Sequence, residues 1–225
     1  MRAVILAAGK GKRMGELTED KPKPLLLIRG KTFLEHIIST LPEDVDEVIV
    51  VIGYKGEQIR AFLGDTFLGK KVTYVQNDHL ELGNAYSLLL TKDFFKPGER
   101  FIITYSDELP TKNDIRHCLE HVFSWLTYVV DDPTRSGVVM LSPSGRIIEL
   151  EEKPVHPKSN IAAVGVLVVN ADIFKCKPQM HKDGEYYLTS LMAEFMKTHH
   201  VQAVAGERTV SFSTPKDIDK FNRKG

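Results

Sequence analysis

The residues with the clearest potential for chemistry lie near the N-terminus. Gly9 and Gly11 follow a short apolar run that predicts a buried strand ending at Ala7 or Ala8. Glycines let the backbone turn tightly, and successive free N–H groups in such a turn form a concavity that binds anions. The positive side chains around this turn are Lys10, Lys12, Arg13, Lys21 and Lys23. The pattern predicts a site for a polyphosphate.

Two familiar phosphate-binding loops do not match this stretch. The dinucleotide fingerprint requires a third glycine three places after Gly11, where this chain has Met14. The ATPase-type loop requires four residues between glycines and then Lys with Ser or Thr. Here five residues separate Gly9 from Gly15, and Glu16 follows. Neither loop therefore explains the turn.

What remains is Ala-Ala-Gly-x-Gly-x-Arg-Met at residues 7–14 and Pro-Lys-Pro-Leu-Leu at residues 22–26. At this separation the two segments resemble the signature of the sugar-phosphate nucleotidyltransferases, the pyrophosphorylases that make NDP-sugars and related activated alcohols. The resemblance implies a Rossmann-like three-layer α/β fold, with a mostly parallel mixed sheet and an inserted β-rich acceptor-binding lobe. It also implies transfer of a nucleotidyl group from an NTP to a sugar 1-phosphate or similar phosphorylated alcohol, with Mg²⁺ and release of pyrophosphate.

The resemblance also implies a role for individual residues. Arg13, Lys23 and Asp107 are the expected catalytic residues, and Asp107 is the expected metal ligand. The expected nucleotide-binding residues are Leu6, Ala8, Gly9, Gly11, Lys12, Arg13, Gln76 and Gly83. The expected acceptor-binding residues are Lys23, Gly137, Glu152, Lys153, Gly165 and Glu185.

Asp107 follows a hydrophobic strand at residues 101–105, a position that suits a carboxylate ligand of Mg²⁺. A turn or helix cap is the alternative use of this aspartate. The family's second metal aspartate is missing, because both matching positions, Ser211 and Ser213, are serine. A hydroxyl is a poorer Mg²⁺ ligand than a carboxylate. A weakly active or nucleotide-sensing relative therefore stays open as an alternative function.

The segment from Gln76 to Gly83 resembles the part of the family that reads the nucleobase. A buried amide that reads a base edge discriminates strongly, because a wrong base leaves it unpaired. Asn77-Asp78 as an ordinary turn is the alternative. Residues 83–88, Gly-Asn-Ala-Tyr-Ser-Leu, resemble the family's cytidylyltransferases, which act on inositol phosphate or phosphocholine, more than its thymidylyltransferases or guanylyltransferases.

The acceptor side is expected in the second half of the chain. Gly137, Glu152 and Lys153 lie in segments that resemble the family's Gly-Val-Val and Glu-Lys-Pro motifs. Lysine can neutralise a phosphate as a point charge, and Glu152 can accept hydrogen bonds from hydroxyl groups. An exposed charged strand end is the alternative for residues 151–153. Thr214-Pro215 begins a last helix, with Asp217 in its first turn.

Composition narrows the remaining possibilities. Thirty basic residues balance thirty acidic ones, which argues against nucleic-acid or membrane partners. Cys118 and Cys176 are far apart, as expected for reduced thiols, and the N-terminus predicts a strand rather than a signal peptide. We expect a cytoplasmic protein, possible homo-oligomers, and one domain over residues 1–225. Residues 1–125 would mainly bind the NTP, and residues 126–225 mainly the acceptor.

The order of predicted elements supports this fold. Strands and helices alternate in the first half, as in a parallel sheet with right-handed crossovers. The predicted helices are 32–41, 56–63, 83–90 and 185–197, with a last one from Thr214. The predicted strands after the first are 48–52, 72–75, 101–105, 128–130, 137–141, 147–150, 162–169, 201–205 and 209–212. Ligands in such sheets lie beyond the carboxyl ends of the strands.

Overall fold

The computed structural model describes residues 1–207 and 211–223 of the 225-residue chain. The strands are β1 (Arg2–Leu6), β2 (Leu27–Ile28), β3 (Lys31–Thr32), β4 (Glu47–Ile52), β5 (Thr66–Phe67), β6 (Lys70–Gln76), β7 (Arg100–Tyr105), β8 (Ser124–Val129), β9 (Gly137–Leu141), β10 (Ile147–Glu152), β11 (Ile161–Asn170) and β12 (Gln202–Ala205). The α-helices are α1 (Phe33–Thr40), α2 (Gly56–Leu63), α3 (Gly83–Leu89), α4 (Lys112–Leu119), α5 (Leu188–Phe195) and α6 (Pro215–Arg223).

The centre of the main sheet is parallel. Strands β7, β1, β4 and β6 lie side by side in that order and run in the same direction. β11 runs antiparallel to β7 on one flank, and β5 runs antiparallel to β6 on the other. The carboxyl ends of the four parallel strands therefore meet at one edge of the sheet. The predicted mixed, Rossmann-like sheet is confirmed.

Apolar residues on both faces of the sheet produce three layers. In β4, Val48 and Val50 belong to one buried cluster, which includes side chains of α1, α2 and α4. Ile49 and Val51 belong to a second buried cluster, which includes side chains of α3 and α5. Continuous apolar runs are typical of strands covered on both faces. Within residues 1–207 and 211–223, no helix has the length and apolar character needed to cross a membrane.

Strand β11 connects the parallel sheet to the β-rich lobe. Its residues 166–170 pair with β7, and residues 161–163 pair with β8 and β9. The register shifts between these stretches, around Gly165, which has a φ of +63°. β9 and β10 form a hairpin with a turn at residues 142–145. The predicted lobe is confirmed, and it continues the main sheet through β11.

Three element predictions need correction or restriction. The strand predicted over 128–130 is β8, which begins four residues earlier, at Ser124. The helix predicted over 185–197 begins only at Leu188, because the preceding residues are extended against the start of α3. The N–H of Leu188 donates to Asn84 Oδ1 at 2.7 Å, and the carbonyl of Tyr186 accepts an amide of α3 at 2.9 Å. The strand predicted over 209–212 falls partly outside the described residues. Its residue Ser211 forms an isolated antiparallel bridge with Glu108.

Glu47 joins three adjacent strands at the amino edge of the sheet. Its carboxylate accepts hydrogen bonds from Arg2 of β1 at 2.9 Å, and from Lys71 and Thr73 of β6 at 2.9 and 2.7 Å. Burial alone would raise the pKa of Glu47, but the bonds from Lys71, Thr73 and Arg2 lower it to about 2. The ionised form is therefore the one that stabilises the fold.

We expect Glu47→Gln to lower the free energy of unfolding at pH 7 by about 2 to 3 kcal/mol. Because the pKa of Glu47 is lower in the folded than in the unfolded chain, its carboxylate stabilises the fold fully at pH values above the unfolded pKa near 4.5. This stabilisation is lost as the pH falls towards 2. The difference between variant and wild type should therefore shrink over that interval, as measured by urea unfolding. Glu120→Gln, which removes an exposed carboxylate, is the control; equal effects of the two variants would contradict this role.

Candidate active site

Two adjoining cavities open at the carboxyl edge of the parallel strands. The smaller, of about 340 Å³, lies against residues 9–11 and is here termed the glycine-turn cavity. The larger, of about 940 Å³, lies against the β-rich lobe and is termed the lobe cavity. The residues that line both cavities are Arg13, Asn84, Tyr105, Asp107, Glu185 and Ser213. The two cavities therefore form one crevice with a shared boundary.

The glycine turn, residues 9–11, is packed tightly on one side and open on the other. Gly11 has a φ of +63°, in the left-handed region that favours glycine. A Cβ at this position would lie 3.1 Å from Lys23 Cβ and 3.2 Å from Thr18 Cγ2. Gly9 has no atom within 4 Å of the position its Cβ would take. The backbone of the turn is thus held in place by Lys23 and Thr18 on one side, and its other side is accessible to a ligand in the cavity.

Most predicted nucleotide-binding residues meet in the glycine-turn cavity. Lys12 and Arg13 are exposed there, and neither makes an ion pair within the described residues. Unpaired cations beside open backbone amides suit a polyanion. The predicted nucleotide-binding residues that line this cavity are Leu6, Ala8, Gly9, Gly11, Lys12, Arg13 and Gly83.

Gln76 is the exception among these residues. It is exposed, its amide nitrogen donates to Asp78 Oδ1 at 3.0 Å, and it lines neither cavity of the crevice. The following residue, Asn77, is buried and lines the glycine-turn cavity, where its amide nitrogen donates to Ser87 Oγ at 2.9 Å. Neighbouring residues at a strand end face opposite sides of the sheet, so when Gln76 faces solvent the side-chain amide of Asn77 faces the cavity. The structure brings Asn77, rather than Gln76, to the crevice.

A partly buried ion pair lies where the two cavities meet. Lys23 Nζ donates to Asp107 Oδ2 at 2.6 Å, and Lys23 is only 8% exposed. Asp107 lies in the turn that follows β7, and its carbonyl accepts the N–H of Phe212 at 3.0 Å. The pair therefore ties the segment after the glycine turn to the end of β7. It presents both a cation and a carboxylate to the crevice, as predicted for these two positions.

Glu108 is a crevice residue that the sequence interpretation left out. An extended chain would turn its side chain away from that of Asp107, but residues 106–107 form a turn and Glu108 lines the lobe cavity. Burial and the negative charge of Asp107 raise the pKa of Glu108 to about 8, against smaller opposing effects of the Gly165 backbone and Lys23. Gly165 itself lines neither of the two cavities and packs behind Glu108.

The segment that carries the two serines closes the crevice from the C-terminal side. Ser211 and Ser213 both line the lobe cavity. Asp217 Oδ2 accepts hydrogen bonds from the N–H of Ser213 at 2.8 Å and from the N–H and hydroxyl of Thr214 at 2.7 and 2.9 Å. These bonds lower the pKa of Asp217 although burial alone would raise it. Asp217 caps the first turn of α6, as predicted.

The lobe cavity gathers most of the predicted acceptor-binding residues. Glu152 Oε2 accepts a hydrogen bond from Thr189 Oγ1 at 2.9 Å. Burial raises the pKa of Glu152, although this hydrogen bond by itself would lower it. Lys153 Nζ binds Asp183 Oδ2 at 3.2 Å and the hydroxyl of Tyr187. The predicted acceptor-binding residues that line this cavity are Gly137, Glu152, Lys153 and Glu185.

The residues present fit a magnesium ion that is shared with a bound phosphate chain. Within residues 1–207 and 211–223, no group of three or more His, Cys, Asp or Glu side chains is placed to hold a metal. Mg²⁺ commonly takes one or two carboxylates and completes its coordination with waters and substrate phosphates. Asp107 faces both cavities, and only its Oδ2 is used by Lys23. An all-protein metal cage does not fit this crevice.

The comparison with known families agrees with this geometry. A model described as nucleotidyl transferase matches residues 2–209. The chain belongs to the nucleotidyl transferase family. The family resemblance of the glycine turn and the Pro-Lys-Pro-Leu-Leu segment is thereby confirmed.

Similar nucleotidyl transferases include proteins of different length. The chain is 32% identical to the UTP–glucose-1-phosphate uridylyltransferase AglF of Haloferax volcanii, over 100% of this chain and 96% of AglF. It is 31% identical to the bifunctional protein GlmU of Methanocaldococcus jannaschii, over 91% of this chain and 49% of GlmU. The chain thus spans about half the length of the GlmU proteins it matches.

Solved structures show the same architecture. A putative glucose-1-phosphate thymidylyltransferase from Bacillus anthracis, crystallised with sucrose, superimposes with a TM-score of 0.86 at 25% identity, over 100% of this chain and 94% of that one. The inositol-1-phosphate CTP transferase from T. maritima gives a TM-score of 0.77 at 21% identity, over 99% and 95% of the two chains. The second likeness concerns the fold alone.

We expect Gly11→Ala to weaken nucleotide binding more than it weakens the fold. The new methyl group would press on Lys23 and Thr18 in a left-handed conformation, which costs about 1 to 2 kcal/mol by itself. Calorimetric titration with the four ribonucleoside triphosphates should show the lost affinity.

Gly98→Ala is the matched control, because Gly98 has a φ of +73° with open space around its Cβ position, away from the crevice. It should lower stability by a similar amount and leave nucleotide affinity unchanged. Equal nucleotide affinity of Gly11→Ala and wild type would remove the turn from the binding site.

Proposed function

We propose that this chain transfers a nucleotidyl group from an NTP to a sugar 1-phosphate or a similar phosphorylated alcohol and releases pyrophosphate. The observation that carries the proposal is the crevice of two cavities, which share Arg13 and Asp107 at their boundary. One cavity offers open backbone amides and two exposed cations, Lys12 and Arg13, and the other offers a lysine and acids that suit a phosphorylated polyol. The named activities of AglF and the B. anthracis structure support the same reaction class.

The glycine-turn cavity would bind the triphosphate. In this proposal the amides of Gly9 to Gly11 and the side chains of Lys12 and Arg13 contact the β- and γ-phosphates. These groups stabilise the negative charge that grows on the leaving pyrophosphate. Since the turn is packed against Lys23, the donors are held in place before the substrate arrives.

Lys23 would lie between the α-phosphate and the incoming acceptor. Its ammonium group reduces the repulsion between two anionic phosphates, so that the acceptor oxygen can approach the α-phosphorus in line. A phosphate is already ionised at neutral pH, so the acceptor needs no strong general base. Mg²⁺, held by Asp107 and phosphate oxygens, would supply further neutralisation of the donor phosphates.

The lobe cavity would bind the acceptor. Lys153 would neutralise the acceptor phosphate, while Glu152 and Glu185 accept hydrogen bonds from its hydroxyl groups. Gly137 lets Thr189 pack close to β9, because a Cβ at this position would lie 2.5 Å from Thr189 Cγ2, and Thr189 in turn donates to Glu152. Together these contacts would orient the acceptor oxygen towards the shared boundary with the nucleotide.

A cytidylyltransferase that acts on inositol phosphate or phosphocholine is the second candidate function. It is favoured by residues 83–88, of which Asn84 lies on the boundary of the two cavities. A nucleotide-sensing role is the third, favoured by Ser211 and Ser213 in place of carboxylates. Cytoplasmic location and homo-oligomer formation stay predictions.

Pyrophosphate release measured with four NTPs against sugar 1-phosphates, inositol phosphate and phosphocholine tests these functions together. We expect turnover with one NTP and a sugar 1-phosphate, each at micromolar to millimolar KM. Turnover confined to CTP with inositol phosphate or phosphocholine would replace the first proposal by the second. Nucleotide binding without turnover on any acceptor would support the sensing role.

We expect Arg13→Ala to lower kcat by about 10²- to 10³-fold, because it removes a charged group from the leaving pyrophosphate. The fold should be unchanged, since Arg13 is exposed. Arg116→Ala is the control, because Arg116 is an exposed arginine on α4 that bonds to Asn113. A kcat for Arg13→Ala within twofold of the control would exclude Arg13 from the mechanism.

A further inference from the structure

Two side chains hold the ammonium group of Lys153. Its Nζ donates to Asp183 Oδ2 at 3.2 Å and to the hydroxyl of Tyr187. The same nitrogen lies 4.2 Å from the centroid of the Tyr187 ring, within the range of a cation–π contact. A lysine ammonium group has three N–H donors, so two are engaged and one is left for a ligand. Because Lys153 lines the lobe cavity, that third donor can serve a ligand there.

The backbone of Lys153 adopts a conformation that is uncommon for a residue with a side chain. Its φ is +44°, in the left-handed region that favours glycine. The N–H of Lys153 donates to the carbonyl of Ser136 at 3.0 Å, just before Gly137 on β9. Residues other than glycine keep such a conformation where the surrounding structure imposes it, and such positions cluster at ligand sites. The fold therefore fixes the point from which the Lys153 side chain extends.

Asp183 uses its two carboxylate oxygens for different purposes. Oδ2 accepts the bond from Lys153 and a bond of 2.8 Å from the hydroxyl of Tyr187. Oδ1 accepts the N–H of Glu185 at 3.3 Å and lies 2.9 Å from Nδ1 of His181. Burial alone would raise the pKa of Asp183, but the hydrogen bonds that its carboxylate accepts lower it. One oxygen thus anchors Asp183 in its own loop, and the other holds Lys153.

The loop that carries Asp183 is closed by its own backbone. The N–H of His181 donates to the carbonyl of Glu185 at 2.9 Å, and the N–H of Gly184 donates to the carbonyl of His181 at 2.9 Å. Asp183 itself lines neither cavity of the crevice, whereas Lys153 lines the lobe cavity. The carboxylate therefore acts from behind Lys153 and outside the space that a bound phosphate would occupy.

We propose that Asp183 is a positioning residue, which directs the remaining N–H of Lys153 towards the phosphate of the acceptor. The inference rests on the proposed function, in which Lys153 neutralises that phosphate in the lobe cavity. The bond to Asp183 restricts the flexible lysine side chain before the acceptor arrives, so less conformational entropy is lost on binding. Asp183 thus contributes to acceptor affinity without contacting the acceptor.

Steady-state kinetics of Asp183→Asn test this role. The variant keeps the size of the side chain but loses its charge, and it should raise the KM for the acceptor about 10-fold. The kcat and the KM for the NTP should stay within about twofold of the wild type, since the lost interaction serves acceptor binding alone. Asp183→Glu, which restores the charge, should recover part of the lost affinity. Glu149→Gln is the matched control, because it removes a carboxylate from an exposed ion pair with Lys158, and it should leave both KM values unchanged.

Calorimetric titration with glucose 1-phosphate gives a second readout that does not depend on turnover. Asp183→Asn should bind this probe about 10-fold more weakly than Glu149→Gln and the wild type do. Tighter binding, or a lower KM for the acceptor, would mean that Asp183 competes with phosphate for Lys153 and would overturn the proposal. A variant that loses kcat and both KM values together would show a structural role and would overturn it as well.

The outcomes separate this inference from the proposed function. If the wild type releases pyrophosphate and Asp183→Asn has an unchanged acceptor KM, the reaction stands and the positioning role is wrong. If the wild type binds glucose 1-phosphate but turns over no acceptor, the reaction is wrong, and weaker binding by Asp183→Asn still supports the positioning of Lys153. A wild type that neither binds nor turns over a phosphorylated acceptor would contradict both.

Discussion

The ion pair between Lys23 and Asp107 is the contact on which the crevice depends. The ammonium group of a lysine that is 8% exposed needs hydrogen-bond acceptors, and Asp107 provides a charged one at 2.6 Å. The pair fixes the segment behind the glycine turn to the end of β7, so both sides of the crevice share one anchor. Because Lys23 also packs against Gly11, the same side chain helps to determine the shape of the glycine turn. A bound phosphate would compete with Asp107 for this lysine.

The strand order explains why the crevice has two compartments. The carboxyl ends of β1 and β7 are adjacent, which places the glycine turn next to Asp107. β11 pairs with β7 only from Val166 onwards, and its register with β8 shifts around Gly165. The lobe therefore lies next to the carboxyl end of β7. The start of α3 meets the segment before α5 through Asn84 and Leu188. Residues from both halves of the chain therefore line one boundary.

The sequence predicted the parts of the site that depend on local chemistry. The glycine turn, Lys23 and Asp107 are recognisable because residue type and spacing are enough to place them. Gln76 lines neither cavity of the crevice whereas its neighbour Asn77 does, because pattern alone does not say which residue at a strand end faces the cavity. Glu108 was missed since its direction depends on a turn at 106–107. Glu185, expected from the family resemblance, lines both cavities, and the neighbouring Tyr186 is held there by backbone hydrogen bonds to Leu82 and Ala85, which no local signal predicts.

The most direct test of the central claim is a crystal structure with Mg²⁺ and a non-hydrolysable analogue of the accepted NTP. The account predicts that the triphosphate lies against the amides of residues 9–11, with the α-phosphate within hydrogen-bonding distance of Lys23 Nζ. A triphosphate bound elsewhere, with the glycine turn empty and Lys23 still bonded only to Asp107, would contradict it.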